Sequence, residues 1–94
     1  MTSLPTDPEP GVPANSLFNQ SLEKGLAVLR VFDAAHCTLT LAELATLTGM
    51  TRSSAQRTVH TLQQLGYIGE QPQTQRFQLL PRVIEIGFNY RMST

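Results

Sequence analysis

The sequence predicts a mainly α-helical domain with a small β-hairpin, laid out as a winged helix-turn-helix. Three features predict it. Two helix-capping residues, Thr40 and Thr51, stand close together with Gly49 between them. The helix after Thr51 has a polar side built from Arg, Gln and His, with no acid. Two short β-prone runs then flank the turn at residues 72–75.

The chain has 94 residues, 40% of them hydrophobic, which allows one small domain and one modest core. No apolar run approaches the roughly 18 residues of a membrane span. The opening MTSLPTDPEP lacks the basic and apolar regions of a secretory signal. Cys37 is the single cysteine, and His36 and His60 are the two histidines, so neither a disulfide framework nor a zinc-ligand set is expected. These features point to a cytoplasmic protein with no metal and no cofactor.

Residues 1–15 contain Pro5, Pro8, Pro10 and Pro13 among small polar residues, a composition that predicts a disordered tail. The folded domain is expected over residues 16–81. Ser21 is the predicted N-cap of a first helix reaching about Ala35, with Leu22, Leu26, Leu29 and Phe32 or Val28 as its buried stripe. His36 and Cys37 fall in the connection, Cys37 as a half-buried filler, and Thr38 and Leu39 suit a short extended piece. Thr40 and Glu43 then form a capping box, which makes them structural caps rather than an acid–base pair. Leu41, Leu44, Ala45 and Leu47 give the second helix its buried side, and Gly49 stops it in a left-handed conformation. Thr51 already caps the next helix, so the connection is the tight turn of a helix-turn-helix.

The third helix is predicted over about residues 52–65, ended by Gly66. With successive side chains about 100° apart, Ala55, Val59 and Leu62 share the core side. Ser53, Arg57, His60 and Gln64 lie opposite, flanked by Arg52 and Gln56. A helix facing water gains from Glu–Lys pairs, whereas one facing a polyanion is penalised by carboxylates. Arg and Gln can also make bidentate pairs with guanine and adenine edges. Two strands at 67–71 and 76–80 form the wing, and Pro81 opens a last helix with Val83, Ile84, Ile86, Phe88 and Tyr90 on a broad apolar side.

Net charge is zero, but its distribution is uneven. Arg52, Arg57, Arg76, Arg82 and Arg91 against Glu70 and Glu85 leave residues 50–94 at +3. The positive charge therefore accompanies the third helix. A Gly-rich phosphate loop, paired carboxylates and a nucleophile–base arrangement are all missing, so the sequence does not read as an enzyme.

The stretches SLEKGLAVLRVFD, LTLAELATLTGMTRSSAQRTVHTLQQLGYI and RFQLLPRVIEIG, in this order and spacing, resemble the N-terminal DNA-binding domain of IclR-type bacterial transcriptional regulators. The likeness covers about residues 20–90. It implies a dimer on a palindromic double-stranded DNA operator. It also implies that residues 82–94 are a linker helix toward a C-terminal domain, absent from this chain, that binds a small organic effector. A fragment holding the DNA-binding part is thus expected, with a stand-alone domain as the other reading. Arg52, Ser53, Gln56 and Arg57 match the family's DNA-contacting positions. Gln56 and Ser53 are expected at base edges, and Arg57 at a guanine or a phosphate. Arg52 and Thr51 should bind phosphate at the helix start, with His60 on the DNA backbone or a bystander. Arg76, the one base beside the wing turn, should reach phosphate or the minor groove. The apolar excess on the first and last helices suggests a homodimer seam. A winged-helix module that binds a protein in place of DNA is the competing reading.

Overall fold

The computed structural model describes residues 16–93; the expected tail at 1–15 lies outside them. Helix α1 spans Gln20–Val31 and is capped by Asn19, not Ser21. The Asn19 side chain accepts the Leu22 N–H at 3.0 Å, and Asn caps as well as Ser does. The helix also stops short of Ala35. The Asp33 carboxylate takes the N–H groups of Ala35 and His36 at 3.0 and 2.9 Å, and the Asp33 and His36 backbones exchange hydrogen bonds. This local turn competes with helix continuation and wins. Cys37 in the same connection is exposed rather than half-buried.

Of the expected stripe on α1, Val28 and Phe32 do turn inward, but the first two leucines do not. Val28 is 0% exposed and Phe32 packs beside it, whereas Leu22 and Leu26 are 61% and 52% exposed. Leu29 is partly buried against the core. The helix carries two apolar stripes, and the one with the β-branched and aromatic residues turns inward.

Helix α2, Leu41–Thr48, has the complete capping box. Thr40 accepts the Glu43 N–H, and Glu43 accepts the Thr40 N–H. Leu44 and Ala45 are buried, but Leu47 faces outward. Gly49 takes φ 75°, the left-handed conformation in which a side chain is strained. The Met50 N–H donates to the Ala45 carbonyl at 3.1 Å, closing the turn. Helix α3, Arg52–Gln64, follows at once from its cap Thr51. It buries Ala55, Val59 and Leu62, as its periodicity predicts.

Strands β1, Ile68–Glu70, and β2, Phe77–Leu79, pair antiparallel with Ile68 opposite Leu79 and Glu70 opposite Phe77. They are shorter than the runs at 67–71 and 76–80. Leu39 joins from the other side: its N–H and carbonyl bond the Phe77 backbone at 2.9 and 2.7 Å. The short extended piece before α2 thus holds the hairpin against the helices. Val28, Phe32, Leu39, Leu44, Val59, Leu62, Ile68 and Phe77 form one core beneath all these elements. Helix α4, Arg82–Ser93, starts after Pro81 and leaves Ile84, Ile86, Phe88, Tyr90 and Met92 exposed. No helix among the described residues is long and apolar enough to cross a membrane.

Candidate nucleic-acid interface

The core packing of α3 determines what it shows outside. With Ala55, Val59 and Leu62 buried, Arg52, Ser53, Gln56, Arg57, His60 and Gln64 are all exposed. The first turn carries no acid, and the Thr51 hydroxyl accepts the Ser54 N–H at 3.1 Å. The N–H groups of Arg52 and Ser53 precede the first intrahelical bond of α3, the Ala55 N–H to the Thr51 carbonyl at 2.9 Å. These outward donors lie at the positive end of the helix dipole, a setting suited to an anion. Among the described residues, neither Arg52 nor Arg57 forms an ion pair. Both guanidiniums therefore keep their charge available to a partner.

Beside this face, an open cleft of about 700 Å³ separates α3 from the wing. Gln56, Arg57 and His60 line it, so the structure gathers these predicted residues on one surface. Gln63 and Glu70 line it as well and were assigned no role from sequence. Helical spacing could have found Gln63, which follows Gln56 by two turns. Strand alternation could have found Glu70, which shares a sheet face with buried Ile68 and opposes Phe77.

Arg76 is the exception. The expectation was a charge reaching outward from the wing, but the guanidinium turns back toward α2. Its Nε donates to Thr38 Oγ1 at 3.0 Å, and its Nη2 donates to the Thr38 carbonyl and to Glu43 Oε1, each at 3.1 Å. The Thr40 N–H, first, holds the Glu43 carboxyl below its ordinary range against the opposing effect of burial, with the Arg76 charge adding to the lowering. The wing turn itself carries Gln73, Thr74 and Gln75 at its surface and no free cation of its own.

Comparison with known proteins agrees with this geometry. The family model for the IclR helix-turn-helix domain matches residues 21–72. The chain belongs to the IclR family. That family is one of transcriptional regulators rather than enzymes. The chain is 38% identical over 77 residues to the Pca regulon regulatory protein of Pseudomonas putida, covering 82% of this chain and 26% of that protein. It is 31% identical over 71 residues to the Glycerol operon regulatory protein of Streptomyces coelicolor, covering 76% of this chain and 28% of that protein. The crystal structure of an IclR family transcriptional regulator from Brucella abortus superposes with a TM-score of 0.76 at 32% identity, over 80% of this chain and 29% of that one. The chain thus spans about a quarter of the length of the curated relatives it matches. What it supplies is the winged helix-turn-helix domain of an IclR-family regulator.

Proposed function

We propose that this domain binds a palindromic DNA operator as a homodimer, with α3 of each subunit in the major groove. The observation that carries this reading is the acid-free outward side of α3, on which Arg52 and Arg57 stand without ion pairs among the described residues. Thr51 and Arg52 contact phosphate at the helix start. Ser53 and Gln56 meet base edges, Arg57 meets a guanine or a phosphate, and His60 lies beside the DNA backbone. Bidentate Arg–guanine and Gln–adenine pairs would supply the sequence preference.

Dimerisation is supported by Leu22 and Leu26 on α1 and by Ile86 and Phe88 on α4, all exposed in the single chain. Two-fold symmetry of the protein would then match two-fold symmetry of the operator. In a longer protein, α4 would lead to a C-terminal domain that binds a small organic effector, and the regulator would act in the cytoplasm.

Selection of bound sites from a random duplex pool tests the reading. It should return two inverted half-sites at a fixed spacing, with binding that weakens steeply as salt rises. A pool that shows no enrichment, together with no binding to random duplex at low salt, would overturn it in favour of a protein-binding winged helix.

A further inference from the structure

Arg76 is a junction between the wing and the helix-turn-helix. Its backbone closes the wing turn: the Arg76 carbonyl accepts the Gln71 N–H at 2.8 Å, and its N–H donates to Thr74 Oγ1 at 3.3 Å. Its side chain leaves the wing altogether and grips Thr38 twice and Glu43 once. Glu43 Oε1 is shared, accepting the Thr40 N–H at 2.9 Å and Arg76 Nη2 at 3.1 Å. One carboxylate oxygen therefore caps α2 and anchors the wing together. Between these grips run the two backbone bonds that join Leu39 to Phe77.

This geometry suits a guanidinium and no other cation. Arg presents several N–H donors in a rigid plane, whereas the Lys ammonium is a point charge on a flexible stem. A charge already facing a carboxylate at 3.1 Å is also a poor counter-charge for phosphate. We propose that Arg76 is a positioning residue for DNA recognition: its fork onto Thr38 and Glu43 locks the wing at the angle that leaves the cleft beside α3 open to a duplex. The inference rests on the DNA-binding reading above and replaces the phosphate contact that the sequence suggests.

The two roles predict opposite results in one set of variants. Arg76→Lys, Arg76→Gln and Glu43→Gln are made in the same chain, and Gln at position 43 can still complete a capping box. Affinity for the duplex selected by the wild-type chain is measured over a salt series. Amide exchange of Leu39 and Phe77 is measured without DNA. A lock predicts that both Arg76 variants lose about tenfold in affinity, Lys no better than Gln, with an unchanged salt slope. It also predicts a loss for Glu43→Gln, an Arg76→Lys, Glu43→Gln double variant no weaker than Arg76→Lys alone, and faster exchange at Leu39 and Phe77. The proposal is overturned if Arg76→Lys binds like wild type, if Arg76→Gln lowers the salt slope by about one, or if Glu43→Gln binds as tightly or more tightly. Absence of duplex binding by the wild-type chain would instead reject the DNA reading, and the exchange rates would still decide whether the lock exists.

Discussion

Arg57 stands in the middle of the outward stripe of α3, exposed and without an ion pair among the described residues. The residue lines the cleft toward the wing and also borders the groove between α3 and α1. Arg57→Ala should lower affinity for the selected operator tenfold or more, since a good bidentate base contact is worth ~1–3 kcal/mol. Affinity for random duplex should fall less if Arg57 reads a base, and in step if it clamps a phosphate. A mobility-shift titration with unchanged operator affinity would remove Arg57 from the contact set. The placement of Arg57 was legible because one helical period fixes every outward residue once Ala55, Val59 and Leu62 are known to be inward. Arg76 was not legible in the same way. Its partner Thr38 lies 38 positions earlier, and nothing in the wing turn announces a contact so distant in sequence.

At the scale of elements, the connection from α1 to α2 is held at both ends by carboxylates. Burial alone would raise the Asp33 carboxyl, but hydrogen bonds from the His36 side chain and from the His36 and Ala35 N–H groups outweigh it and hold the group below its ordinary 3.8. Glu43 is likewise held below its ordinary 4.5 by the Thr40 N–H and by Arg76. In both cases the unfolded chain binds protons before the folded one as pH falls. The stabilisation is therefore complete above the ordinary values and is lost as pH drops through the lower folded values. Both groups are open to solvent, so the effect is small. The Asp33→Asn, Glu43→Gln double variant should show a shallower fall in melting temperature than wild type between about pH 5 and pH 3. Equal slopes for the two proteins would contradict this account. The second cap, the Gly49 turn and the third cap were readable because each is a local rule with its residues a few positions apart. The end of α1 was not. The Asp33 turn and the leucine periodicity both fit the sequence, and only packing decides between them. The same holds for which of two apolar stripes on α1 faces the core.

For the whole molecule, the apolar residues left outside are as informative as those within. Leu22, Leu26 and Leu29 of α1 line one groove with Leu65 at the end of α3 and Ile86 of α4, while further along α4 Phe88 also lies open. A single chain leaves this groove to water, at a cost of roughly 25 cal/mol per Å² of apolar surface. A second copy presenting the same surface would cover it and place two α3 helices in a two-fold arrangement. Leu26 is 52% exposed, so Leu26→Asp should disturb the fold little while placing a charge in the seam. Sedimentation should find the wild-type chain dimeric at micromolar concentration and the variant monomeric, with melting temperatures that converge only once both are diluted to where the wild type is also monomeric. On the selected palindrome, the variant should bind only as tightly as wild type binds one half-site. This follows because a linked pair gains from the high effective concentration of its second reading head, and an unlinked pair does not. A wild-type chain that sediments as a monomer both on and off the palindrome would show that this groove is covered by something other than a second copy.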